Sequence, residues 1–596
     1  MKKLKNLSYA VAAFVITTTA TSCKKSFLDE ENPHTSTAEN MWTSPTGFLT
    51  LVNSAYQELH QFYGIQDGTF VLETGTDLGY SAGRSGFGKS MVYYDNLLST
   101  QGEIAKNWAS CYKSINLCNA GIARIDQAGF SATEKAQRLG ELRFLRALYN
   151  FHLVEQWGGV TLRLQESAAG AVDYNPKRST PEAFYDAILA DLQFAKDNLP
   201  VSWPASDYSR AAKKSAMGLL AEVLLQRAYY SNGTDFTAWI TKAKDAALEV
   251  INGQAGLGLS MFANANEVGQ SVYGPAADRA KNKEAMFVLS YDENAGASNA
   301  LVGANGNRIY KLFLLKYTGR PGMSSTYVPA YGTDGEGRMM PTWHLLDLYN
   351  EKADARYNTW FQELFIANQA YTWSTLSTPA SGIDKDATVA GKTINVGDTA
   401  IYVTKGDWGG RRTRTYMEVD KNELYVNPVH GQGAKIADGT VIPLWYPSFR
   451  KFVNQKRTFS GTTDFGDAMI IRLSEMYLIA AEAYLQLNDK TNAAKYINEI
   501  RSRRAIPGQE ANMVAQASEM NIDYILDERG RELVGELHRW YDLKRIFRST
   551  DWVAYVQKWN PDMTLMAPYH RVRPIPSTEM LSIGNATEYG QNDGYK

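Results

Sequence analysis

The sequence predicts a mostly α fold, a scaffold of antiparallel helix pairs interrupted by a long, loop-rich insertion of mixed α/β character. Three observations point there. The first is the stretch 469–547, where Ile470, Leu473, Met476, Tyr477, Ala480, Ala481, Tyr484 and Leu487 recur at three- and four-residue steps and give one helix a wide buried stripe. Asn488-Asp489 breaks the pattern, Thr491 is placed to cap a second helix, and Ala494, Ile497 and Ile500 face back onto the first. Such a pair has about the length of a tetratricopeptide unit. The second observation is recurrence: helix pairs of similar length follow one another, and LLAEVLLQ at 219–226 echoes IAAEAYLQ at 479–486. The third is a change of composition over 253–467, where Gly, Ser, Thr, Tyr and Trp rise, Pro punctuates, and strand-like pieces alternate with turns.

The chain opens MKKLKNLSYAVAAFVITTTATSC, with basic Lys2, Lys3 and Lys5, an apolar core from Tyr9 to Ile16 and small residues before Cys23. That core is too short to span a bilayer, so residues 1–22 read as a cleaved signal peptide. Small residues ending in cysteine resemble a bacterial lipobox, which makes Cys23 the acylated first residue of the mature protein. Each buried acyl CH₂ then contributes about 0.8 kcal/mol to anchoring. The polar segment that follows, with Pro33 and acidic Asp29, Glu30 and Glu31, reads as a tether. Cys111 and Cys118 remain. On one predicted helix their Cα atoms lie roughly 10 Å apart, beyond the about 7 Å that a disulfide spans, so both are expected as buried free thiols.

The first helical part, 23–252, holds predicted helices at 44–63, 104–125, 133–157, 181–199, 210–230 and 235–251. Between the first two, 64–100 is glycine-rich with scattered aromatics and reads as irregular. Inside the insertion 253–467, residues 285–291 and 400–404 look like strands, and 340–357 reads as one helix followed by an acidic turn. The C-terminal helical part is 468–596.

A charge of −1 over 596 residues argues against a nucleic-acid partner. With 35 Tyr, 13 Trp and 22 Phe against 7 His, the composition suits stacking surfaces better than a histidine-based metal enzyme. GxSxG, GxxxxGK[ST] and HExxH are all absent. DERGRELVGELHRWYDLKR at 527–545 clusters acids with bases. However, Glu528, Glu532 and Glu536 are spaced by four, with Arg529, Arg531 and Arg539 in reach, which reads as a structural charge network on a helix. Arg143, Arg146, Glu475 and Glu482 are read the same way. His538 has no second histidine at metal-ligand spacing, so no zinc site is expected there. Neither an enzyme nor a bound cofactor is expected. The better candidates are loop aromatics, whose flat rings stack on the apolar faces of sugars while neighbouring polar groups satisfy hydroxyls. In the first insertion these are Tyr80, Arg84, Phe87, Tyr93, Tyr94 and Asn96; in the second they are Tyr327, Tyr331, Trp343, Trp373 and Trp408. Trp157 and Trp343 sit in helical patterns, which favours packing.

Several strings then agree with one family in its own order: ELRFLRALYNFHLVEQWGGV at 141–160, YPSFRKF at 446–452, IIRLSEMYLIAAEAYL at 470–485, INEIRSRR at 497–504, the 527–545 string, RVRPIPSTEM at 571–580 and GQNDGY at 590–595. With the lipobox, they resemble the SusD/RagB-like outer-membrane nutrient-binding lipoproteins. The central region matches through 338–357, and Thr161 stands where the family usually has proline. The resemblance implies a surface-facing lipoprotein, lipid-anchored in the outer membrane, that binds a glycan non-covalently and delivers it to a SusC-like TonB-dependent transporter. The ligand site would lie in the loops, here Tyr80, Arg84, Tyr93, Asn96, Tyr327, Tyr331 and Trp343. Its rivals are a peptide binder on the same fold, a glycan-degrading enzyme and a scaffold that binds only protein.

Overall fold

Ser44 Oγ accepts the Gly47 amide at 3.2 Å and Pro45 takes the first helical position, so helix α1 (Pro45–Gln57) starts where the sequence signals it. The computed structural model describes residues 41–80, 87–167, 172–230, 233, 235–272, 281–292, 306–332, 338–373, 387–406, 414–420, 433–435, 441–443, 445–454, 464–548 and 550–596. The signal peptide, Cys23, the acidic tether residues, Arg84 and Trp408 lie outside them.

From α1 the helices stack in sequence. Helix α2 (Gly102–Arg124) packs on α1 and α3 (Ala132–Trp157), α3 on α4 (Pro181–Asn198), α4 on α5 (Lys213–Tyr230), and α5 on α6 (Phe236–Gly253). After the insertion, α7 (Leu473–Gln486) packs against α6 and against its own partner α8 (Lys490–Arg501). The stack therefore resumes on the helix at which it was interrupted, and the chain is a mostly α helical-repeat scaffold with a mixed insertion. Arg146 binds Asp191 through Nε and Nη2 at 2.7 and 2.8 Å, tying α3 to α4. Thr161 donates its amide to Tyr589 Oη at 3.1 Å, which holds the turn after α3 without a proline. Among the described residues no helix is long and apolar enough to cross a membrane.

Several expected boundaries move. Residues 468–472 form strand β4 (Ala468–Arg472), antiparallel to β2 (Ala285–Leu289), and the helix begins only at Leu473. Every residue of β4 is buried, so no alternation betrays it in the sequence. Helix α9 (Ile522–Leu533) and helix α10 (Arg539–Ile546) replace one continuous helix; the break carries Gly535 at φ 77° and Leu537 at φ 71°, a left-handed turn no helix continues through. Glu536 therefore lies in the turn and not on a helix face. The stretch after Met340 divides into Trp343–Asp347 and Ala355–Trp360, capped by Thr342 and Asp354. The stretch 64–100, expected to be irregular, contains helices Gln66–Glu73 and Phe87–Tyr93.

Asp489, not Thr491, caps α8, accepting the Asn492 amide at 3.0 Å. Asp489→Ala is accordingly expected to lower the urea-unfolding free energy by about 1 kcal/mol, while Thr491→Ala, on an exposed position, leaves it within experimental error.

Cys111 and Cys118 are free and buried, as expected from their spacing, and burial raises both thiols. Ellman's reagent should therefore label neither in the native protein and both in denaturant; rapid native labelling of either would contradict this packing.

The insertion builds its own apolar clusters. One gathers Phe313, Trp360, Phe361, Phe449 and Phe452; another gathers Phe365, Trp373, Ile401 and Trp445. Strand Thr399–Val403 lies between Leu364–Ile366, antiparallel to it, and Met417–Val419, parallel to it. Two very short strands, β1 (Gly79–Tyr80) and β3 (Met340–Pro341), link this insertion to the first one.

Candidate functional site

In the acid–base cluster that stands out in the sequence, the three glutamates spaced by four are buried and paired. Glu532 is wholly buried and accepts from Arg356 at 3.0 Å, Arg472 at 2.8 Å and Arg504 at 3.0 Å. Glu528 holds Arg356, Arg501 and Arg531, and Glu536 holds Arg472 and Lys451. Burial alone would raise these carboxyl groups; the guanidinium groups outweigh it and hold Glu532 well below the carboxylate range. Both Glu532 oxygens are occupied by these partners, so this carboxylate serves the fold as a structural tie.

Where the two insertions meet, the arrangement differs. Strands β1 and β3 pair antiparallel, Gly79 opposite Pro341 and Tyr80 opposite Met340. Around this short pair the backbone is pinned from several directions. Thr342 donates its amide to Leu78 O at 2.9 Å and its hydroxyl to Asp77 O at 2.7 Å. The Asp77 carboxylate is gripped by Arg539 Nε at 2.8 Å and by its Nη2, and Asn560 Nδ2 reaches Thr76 O at 2.9 Å. Two strand residues alone would not hold together; the C-terminal helices supply what the ladder lacks.

Thr342 also caps the short helix that begins at Trp343, accepting the Leu345 amide at 3.2 Å. Trp343 is half-buried, whereas His344 is buried and stacked on Trp559 at 4.0 Å between centroids. Burial lowers His344 to about 4, so it is neutral near pH 7. Beneath the strand pair lies a pocket walled by Phe313, Met339, Leu345 and Phe449, with Glu73 at its edge. Glu73 Oε1 accepts the Gly535 amide at 2.9 Å, and burial lifts its carboxyl to about 7.

The other candidates fall in different settings. Tyr93 ends its helix and is packed into the main core, 6% exposed. Tyr94 is buried too, stacked on His570 at 4.5 Å, with its hydroxyl donated to Gly75 O. Asn96 is exposed at φ 52°, its Nδ2 donating to Asp95 Oδ1 at 3.0 Å. Tyr331 is half-buried, edge-on to Tyr317 at 5.6 Å and Phe365 at 5.1 Å, while its hydroxyl accepts the Ile366 amide at 3.0 Å. Leu364 and Ile366, 45% and 38% exposed, form an apolar rim on the strand beside it. Tyr327 is half-buried just ahead of Tyr331. Trp373 is buried, its indole donating to Thr415 O at 2.7 Å. The geometry thus offers partly open rings at Tyr327, Tyr331 and Trp343, of which Tyr331 and Trp343 are packed against the insertion's apolar clusters. Asp77, Arg539 and Asn560 position this junction; Asp77 and Asn560 went unnoticed in the sequence, and Arg539, expected to pair with the helix carboxylates, instead grips Asp77, 462 residues away.

A family model described as "SusD family" matches residues 302–595, and another described as "Starch-binding associating with outer membrane" matches 26–225. A SusD-like protein of Formosa agariphila is 22% identical over 559 residues, covering 92% of this chain and 93% of its own length. The starch-binding protein SusD of Bacteroides thetaiotaomicron is 24% identical over 492 residues, 79% of this chain and 75% of that one. Among solved structures, a laminarin-binding SusD-like protein aligns with a TM-score of 0.63 at 19% identity, covering 93% of this chain and 100% of that one. Surface glycan-binding protein A from Bacteroides fluxus aligns with a TM-score of 0.62 at 17% identity, with the same coverage of both chains.

Proposed function

Because the chain belongs to the SusD/RagB-like family, we propose that it binds an oligosaccharide or polysaccharide non-covalently, without cleaving it, and delivers it to a SusC-like TonB-dependent transporter. In this reading residues 1–22 are removed, and acylated Cys23 holds the protein on the outer membrane, facing the cell surface. The helical parts 23–252 and 468–596 form the transporter-facing body. The insertions 64–100 and 253–467 supply the ligand loops, with Tyr80, Arg84, Tyr93, Asn96, Tyr327, Tyr331 and Trp343 as the candidate contacts. The partly open rings Tyr327, Tyr331 and Trp343 are the foremost of these.

The observation that carries the reading is the β1–β3 pair, which brings the two aromatic-bearing insertions to one place on a rigid helical support. Rings fixed from behind, as Tyr331 is by Tyr317 and Phe365, lose little entropy when a sugar face stacks on them.

Calorimetric titration with α-glucans, β-1,3-glucans and a peptide panel, run alongside a reducing-end assay, tests this. Saturable glycan binding without new reducing ends is the expected result. Release of reducing ends would overturn the non-enzymatic reading, and a response to peptides alone would replace the glycan. Palmitate labelling that survives Cys23→Ala would remove the anchor.

A further inference from the structure

Glu222 on α5, Glu475 on α7 and His538 at the start of α10 converge in the interior of the scaffold, although they come from opposite sides of the insertion. One ligand atom from each lies within 4.8 Å of the others. His538 Nδ1 stands 3.5 Å from Glu475 Oε1 and 3.8 Å from Glu222 Oε1. These separations are too long for N–H···O hydrogen bonds. They suit a coordination polyhedron instead, since a metal ion at about 2.1 Å from its donors holds them roughly 3.4 Å apart in a tetrahedron.

Two further observations point the same way. Glu475 is wholly buried, and neither of its carboxylate oxygens accepts a hydrogen bond. A buried carboxylate left without such bonds is an exception that calls for a cation. The surrounding charges do not balance either. Ion pairs link Glu222, His538, Glu475, Arg529, Asp542, Arg545 and Glu482 in one chain. Every side chain in it is 12% exposed or less. Four carboxylates thus face two guanidinium groups and one imidazole, leaving a negative charge in excess even when His538 is protonated. With neutral His538 and a divalent cation, this set sums to zero.

We propose that Glu222, Glu475 and His538 bind one divalent transition-metal ion, with zinc the best match to an imidazole nitrogen and two carboxylate oxygens. The ion would join α5 to α7 and α10, fastening the first half of the scaffold to the second. Metal–ligand spacing along the sequence gave no hint of it, because Glu222 belongs to a different helix pair. Arg529 Nη2 faces Glu475 Oε1 at 3.6 Å and offsets part of its charge without occupying either oxygen by a hydrogen bond.

The test uses full-length protein stripped with EDTA and titrated with ZnCl₂ and MnCl₂. One equivalent of Zn²⁺ should bind and raise the melting temperature. Glu222→Gln, altering the most accessible of the three side chains, should fold and weaken zinc at least tenfold; Glu475→Gln should abolish binding. If the latter fails to fold, Glu222→Gln alone decides. No uptake by the wild type, or stoichiometric uptake unchanged in Glu222→Gln, overturns the proposal.

Discussion

Glu532→Gln is expected to lose about 3–5 kcal/mol of stability, the largest effect of any single substitution suggested here. Three guanidinium groups, from Arg356, Arg472 and Arg504, converge on that one carboxylate from the insertion, from β4 and from the segment after α8. Glutamine keeps the shape but removes one negative charge from a buried network in which Arg356 keeps Asp354 and Glu528, Arg472 keeps Glu284 and Glu536, and Arg504 keeps only Glu284 at 3.3 Å, and water cannot replace it at 0% exposure. Urea unfolding measures the loss directly, and a shift below about 1 kcal/mol would show that the remaining carboxylates suffice. The pH dependence has a definite sign. Despite burial, arginines hold Glu532 well below its ordinary value and Asp542 at about 2. A depressed carboxyl group contributes stability above its unfolded pKa of about 4 and loses it as pH falls toward the folded value. Wild-type stability should therefore decline from roughly pH 5 downward, and less steeply in Glu532→Gln, which has one fewer such group.

On the proposed reading, replacing Tyr327 and Trp343 together by alanine should weaken glycan binding by roughly 5- to 150-fold, the loss of two stacked rings at about 0.5–1.5 kcal/mol each. Both side chains are half-buried, so circular dichroism and melting temperature serve as the control for folding. Unchanged affinity in a folded double variant would move the site elsewhere, whereas loss of folding would mark both rings as packing residues.

The helices of the scaffold were legible because each buries a broad stripe at helical spacing, and caps such as Ser44 with Pro45 mark their starts. β4 was not, since a strand buried on both faces shows only an apolar run that extends a helical pattern without a break. The split between α9 and α10 was hidden by Leu537, a residue whose type gives no warning of a positive φ. The candidate junction was legible only in part. Loop aromatics can be picked out by composition, but the pairing of Gly79 with Pro341 joins residues that no local pattern relates. Neither Asp77 with Arg539 nor Glu222 with His538 leaves a periodic signal, because side-chain partners far apart in sequence are set by the fold as a whole.

The hold of Arg539 and Asn560 on the first insertion has a consequence for the order of events during synthesis. Residues 74–80 leave the ribosome long before the groups that fix them, since Arg539 follows Asp77 by 462 residues and Arg573, which donates to Val71 O at 3.0 Å, comes later still. Contacts spanning this much of the chain close late and slowly. A nascent chain can complete its first helix pairs while this junction is still unassembled, and it becomes rigid only once the carboxyl-terminal helices have docked.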